Sequence, residues 1–144
     1  MPSPRHSAAD VLAQALVDAG QLADPETLQD WTARVGSEPD TPDNVVTLYD
    51  TQSKETGRDH NTGRGFSLSG VQVRVRGREH ATGWRRASDL SIWLGESLYQ
   101  RQVTLGGVTY LIHCASSVSD PLAIGKADPA GRRHLFTVNL LVSY

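Results

Sequence analysis

The sequence predicts an α+β domain: a mostly antiparallel sheet of about four to five strands, with two main helices packed on one face. Three observations carry this. Two segments repeat apolar residues at helical spacing, and five others are β-rich runs bounded by turn residues. The runs follow one another as helix, ambiguous segment, strand, long loop, strand, helix, two strands, loop and strand, an order that suits helices laid on an antiparallel sheet. With 144 residues, no internal repeat and no linker, residues 1–144 read as one domain.

The first helix is "SAADVLAQALVDAG". Ser7 can cap it, with Asp10 three residues on where a capping box places Glu or Gln. Val11, Leu12, Ala15, Leu16 and Ala19 form its apolar stripe, and Gly20 suits its end. "LADPETLQDWTARVG" reads either as a short second helix from Asp24-Pro25-Glu26 or, over 31–35, as a short strand. "GSEPDTPDN" is an acidic turn, and "VVTLYD" over 45–50 is a strand. Residues 51–69, "TQSKETGRDHNTGRGFSLS", are polar with three glycines and read as a long loop, functional or ordered by a partner.

"GVQVRVRG" follows. Val71, Val73 and Val75 share one face of a strand over 71–76, and Gln72, Arg74 and Arg76 share the other. The second main helix spans about 82–99, with Ala87, Leu90, Leu94 and Leu98 on its buried stripe and Trp84 and Trp93 on its flanks. "RQVTLGGVTYLIHCAS" is a hairpin turning at Gly106-Gly107. "SDPLAIGKADPAGRR" reads as a loop. "HLFTVNLLVSY" is a final strand with Phe136, Val138, Leu140 and Val142 on one face.

Formal net charge is −2, which argues against a dedicated nucleic-acid binder. Its distribution is uneven: residues 1–50 carry nine acids and two bases, and residues 51–144 carry seven acids and twelve bases. Subunits that meet through unlike surfaces show such asymmetry, although a solvated surface with unevenly placed charge gives it too. No apolar run approaches the roughly 18 residues of a membrane span. The first ten residues lack the apolar core of a secretory signal.

Little in the chain points to chemistry. The five histidines show no metal-ligand spacing, and His113 reads as structural. The single cysteine, Cys114, alternates with Val108, Tyr110 and Ile112 and reads as a small core residue. No nucleophile elbow, phosphate-binding loop or dinucleotide fingerprint occurs. Asp50, Asp59 and His60 are polar groups around the loop, and they leave open a small enzyme or ligand-binding domain. Arg74, Arg76, Arg78, Arg85 and Arg86 form a cationic cluster without interleaved aromatics, which favours a protein contact over single-stranded nucleic acid.

Four segments together resemble the tail terminator proteins of long-tailed phages, a family also called minor capsid proteins. They are "SAADVLAQALVDAG", "PDTPDNVVTLYDT", "GVQVRVRG" leading into a helix, and the C-terminal run from "VTLGGVTYLIHCAS". In that last run Pro121, Leu122, Gly125, Asp128, Gly131 and Arg132 precede the strand at 136–139. The helix after "GVQVRVRG" departs from the family's usual aromatic start and alanine-rich composition. The 51–69 segment has its own composition.

The resemblance implies a structural virion protein without catalytic, cofactor or metal site. It implies a ring, generally a homohexamer, at the head-proximal end of the tail tube. Such a ring ends tube polymerisation and joins the tail to a head-completion, or stopper, protein. Genomic DNA passes its lumen without specific binding. Another head–tail connector or a tail tube subunit is the nearest alternative. For such a ring the expected interface residues are Lys54, Arg58, Asp59, Arg64, Phe66, Arg74, Arg76 and Arg78, with most of the strand-face arginines pairing with acids of an adjacent subunit.

Overall fold

A computed structural model describes residues 6–27, 29–58, 60–63, 65–127 and 132–144. Helix α1 spans Ala8–Asp18. Ser7 Oγ accepts the Asp10 amide at 3.2 Å and the Ser7 amide donates to Asp10 Oδ2 at 3.4 Å, so the capping box forms. Strand β2 assists from a distance: Asp50 Oδ1 accepts the Ala9 amide at 2.9 Å and satisfies another donor of the first turn. Asp50 is thereby a structural capping residue.

The remaining elements are β1 (Thr32–Val35), β2 (Val45–Arg58), β3 (Gly65–Gly77), α2 (His80–Glu96), β4 (Tyr99–Leu105), β5 (Val108–Ser116), β6 (Leu122–Lys126) and β7 (His134–Ser143). The strands form one seven-stranded sheet in the order β1-β2-β3-β7-β5-β4, with β6 also paired to β7. β1 runs parallel to β2, which makes the sheet mixed. α1 touches β1 and β4, strands at the two ends of that order, so the sheet curls around it.

This corrects the expectation of four to five mostly antiparallel strands with helices on one face. Strand outweighs helix here, and the sheet is larger, mixed and curled. The additional strand arises in three places. β1 resolves the ambiguous segment, while 24–27 makes only a turn closed by the Thr27 amide on the Asp24 carbonyl at 3.0 Å. β6 lies inside the supposed loop after Ser116. Most of 51–69 is strand too: β2 and β3 continue as paired arms, with register shifts between Thr51 and Lys54 and between Glu55 and Gly57.

The "GVQVRVRG" strand sits near the sheet's centre, between β2 and β7. Val71, Val73 and Val75 are fully buried and pair with Leu140, Val138 and Phe136 of β7. Leu12 and Leu16 of α1 and Leu90 and Leu94 of α2 complete the core. Both bounding glycines mark close approaches. A Cβ on Gly70 would strike the Thr51 side chain and come within 2.6 Å of the Gln52 carbonyl, where β2 shifts register. A Cβ on Gly77 would lie 2.9 Å from Gly83 Cα of α2. Cys114 does not join the core. It is exposed on β5, as is His113, because no helix covers the strand there.

Candidate assembly surfaces

Opposite the valines, the sheet's second face places Arg34 of β1, Thr47 and Tyr49 of β2, Arg74 and Arg76 of β3 and Thr137 of β7 in register. The two central arginines have different fates. Arg76 is only 3% exposed. Its Nε donates to the Asp43 carbonyl at 3.1 Å, and its Nη2 donates to the carbonyls of Pro42 at 2.6 Å and Asp40 at 3.2 Å. Its Nη1 stands 3.7 Å from Glu38 Oε2. Burial lowers the Arg76 pKa, Arg133 adds to that, and Glu38, Asp43 and Asp40 oppose it. Arg133 reaches the same segment from the end of β7, with Nη1 2.9 Å from the Asp40 carbonyl and 3.9 Å from Asp43 Oδ1.

The acidic turn at 38–43 is thus clamped to its own sheet. Arg76, expected at an intersubunit contact, is an internal fastener whose acids belong to the same chain. Arg74 remains half-buried, with its guanidinium carbon 5.2 Å above the Tyr49 ring and its Nε without a hydrogen-bond partner. Arg78 is exposed, and its amide donates to Asn44 Oδ1 at 2.8 Å.

Tyr49 and Tyr144 both have pKa values raised above 10.0, chiefly by burial. Glu38 also raises Tyr49, against Arg74 and Arg76, while Asp50, Tyr110 and Asp10 add to the Tyr144 shift. Tyr144 donates its hydroxyl to the His6 carbonyl at 3.1 Å. A raised phenol pKa means that folding favours the neutral form. That contribution is complete below pH 10 and is lost as pH rises through the folded-state values. Thermal melts across alkaline pH, compared with ultraviolet titration of the phenols, should show this loss. Tyr49→Phe and Tyr144→Phe should flatten it.

The β2–β3 arms form the second surface. β1 leaves β2 after Leu48 and β7 pairs with β3 only from Ser69 onward, so the arms have no further strand alongside. Lys54 is exposed opposite Leu68. Arg58 is exposed and paired with Glu55 at 3.0 Å. Phe66 lies in β3 opposite Gly57. Asp59 and Arg64 fall outside the described residues. The arm thus gathers Lys54, Arg58 and Phe66, apart from Arg74, Arg76 and Arg78 at the strand's other end.

A third surface escaped the sequence reading. Trp84 and Ile124 are each 43% exposed and Leu122 is 60% exposed. Trp84 lies beside an open groove of about 630 Å³ between α2 and β6, lined by His80, Ala81, Trp84, Arg85, Ser88 and Ala123, whereas Leu122, in register with Thr137, faces the other side of the sheet. The available signal was the Leu-Ala-Ile run inside the supposed loop. On the helix's other flank Arg86 stacks 4.9 Å from the Trp31 ring centre.

Among the described residues no group of three or more His, Cys, Asp or Glu side chains could hold a metal. No described helix is long and apolar enough to cross a membrane. With Asp50 committed to capping α1 and His60 exposed, the described residues assemble no acid–base constellation around the arm.

Compared with known protein families, residues 15–144 match the family model described as bacteriophage tail terminator protein. No curated protein matches the chain.

Proposed function

The chain belongs to the bacteriophage tail terminator family, a family of structural tail proteins, and from that premise we propose that it forms a ring at the head-proximal end of the tail tube. The ring, generally a homohexamer in such proteins, ends tube polymerisation and presents its other side to the head-completion protein. It acts during assembly in the host cytoplasm and remains in the virion. DNA passes its lumen without sequence-specific contact, and no catalysis or cofactor is involved.

The observation that carries this reading is the β2–β3 arm. A two-stranded ribbon on its own is marginal in water, because it has two unpaired edges and no second layer. None of the described side chains of 51–69 belongs to the core cluster. An arm whose described side chains lie outside the subunit's core suits a contact with a neighbouring subunit or the tube below. Arg74 and Arg78 supply further accessible cations for such contacts; Arg76 does not.

The test is electron microscopy of the purified protein alone and mixed with tail tubes, beside a variant in which 52–68 is replaced by a two-residue Asn-Gly turn. The intact chain should give rings or capped tube ends. The shortened chain should keep its melting temperature within a few degrees and lose both assemblies. Normal rings and capped tubes from the shortened chain would remove the arm as the basis of assembly.

A further inference from the structure

The Trp84 groove has an apolar floor and a cationic rim. Trp84 and His80 are anchored on Phe136, with ring centres 5.9 and 5.2 Å away, so the floor is a fixed surface. Arg85 lines it, Lys126 of β6 is exposed in register with His134, and His134 lies 5.4 Å from His80. The acids on the same elements are Glu79, Asp89 and Glu96. Neither Arg85 nor Lys126 is in an ion pair among the described residues. Ala123, in register with Phe136, closes the groove on the side of β6, whose five residues are all exposed.

The chain also carries the complementary surface. Its connection from α1 to β1, residues 18–31, holds Asp18, Asp24, Glu26 and Asp30 and no Lys or Arg. All four acids are exposed, and none is in an ion pair among the described residues. This connection cannot reach the groove of its own molecule. Arg86 holds it on the far flank of α2, donating to the Gln21 carbonyl at 3.2 Å and stacking on Trp31. Trp84 and Arg86, two residues apart, point about 200° apart around the helix.

We propose that the acidic connection 18–31 of one copy docks across the Trp84 groove of a second copy of this chain, in a head-to-tail contact. The proposal rests on the ring reading above and specifies its interface. Two unlike patches on opposite flanks of one helix are what a heterologous, closing contact requires, since each copy offers one and accepts the other. The exposed Trp84 supplies the apolar centre, and the charges set orientation and partner choice.

The test uses two charge-reversed full-length variants. One carries Arg85→Glu and Lys126→Glu in the groove; the other carries Glu26→Lys and Asp30→Lys in the connection. Among the described residues, none of these side chains has a hydrogen bond or ion pair within the subunit to lose. Sedimentation velocity should show each variant alone needing roughly tenfold or more protein to assemble than the unaltered chain. An equimolar mixture should assemble as the unaltered chain does, because every contact then joins opposite charges. Circular dichroism of each variant checks that it is folded.

Assembly of either variant alone at the unaltered concentration would overturn the contact while leaving the ring reading in place. So would a mixture that stays dissociated although both variants fold. Loss on groove reversal with no effect of connection reversal would assign the groove to a symmetric pairing or another tail protein and overturn the proposal. An unaltered chain that neither self-associates at any concentration nor binds tube ends would overturn both readings.

Discussion

Arg76→Met should destabilise the subunit by about 3 kcal/mol, lowering its melting temperature by roughly 10 °C. Methionine fills much of the space but leaves the Pro42 and Asp43 carbonyls without this donor, the Asp40 carbonyl with Arg133 alone, and Glu38 without its charge partner. Unpaired acceptors and a half-buried carboxylate make this loss larger than that of a surface ion pair. Arg74→Met is the control. Arg74 is half-buried over Tyr49, and its removal should cost under about 1 kcal/mol. Chemical denaturation of the two variants distinguishes these roles. Equal losses would show that the 38–43 turn is held by something other than Arg76. It follows that a defect in assembly caused by Arg76→Glu reports on folding, whereas one caused by Arg74→Glu reports on contact.

The second large effect is expected at the α2 entry. A Cβ at Gly83 would lie 2.6 Å from Phe136 Cε2, and Phe136 is fully buried. Alanine normally stabilises a helix interior relative to glycine by up to about 1 kcal/mol. Here the ring must move within a packed core, and Gly77 abuts the same turn. Gly83→Ala should therefore lose about 1 to 2 kcal/mol, and Gly83→Val about 3 kcal/mol. Gly95, on the same helix, has nothing within 4 Å of its virtual Cβ, so Gly95→Ala should raise stability by about 0.5 to 1 kcal/mol. Thermal melts of the three variants would show opposite signs along one helix. A stabilising Gly83→Ala would mean that Phe136 has room to move.

The two helices and the central strand were legible because each has one apolar face with a clear period. α1 additionally carries its own start signal in Ser7 and Asp10. The arms of β2 and β3 were not legible. The alternation that marks a strand comes from one face being buried, and from Thr51 to Arg58 every described side chain is exposed. β6 failed to show for the same reason, being five exposed residues interrupted by Gly125. Cys114 shows the opposite error. Its alternation with Ile112 is real, but the strand runs out from under the helices before reaching it.

At the candidate surfaces, sequence identified the cations but could not rank them. Arg74 and Arg76 occupy equivalent positions in one alternating strand. What separates them is the 38–43 turn, which folds back over Arg76 alone. Arg76 and Arg133 reach that turn within the subunit, although Asp40 and Asp43 stay exposed. The connection 18–31 adds four further exposed acids.

The place of β7 in the sheet has a consequence for how the subunit is made. His134–Ser143 lies between β3 on one side and β5 and β6 on the other, so the strand synthesised after all the others is a central one. Until it emerges from the ribosome, Val71, Val73 and Val75 lack their neighbours on that side, and β3 presents an open, apolar edge. A chain broken off before residue 134 has no sheet to close. Prematurely terminated copies would expose that edge to proteolysis and aggregation.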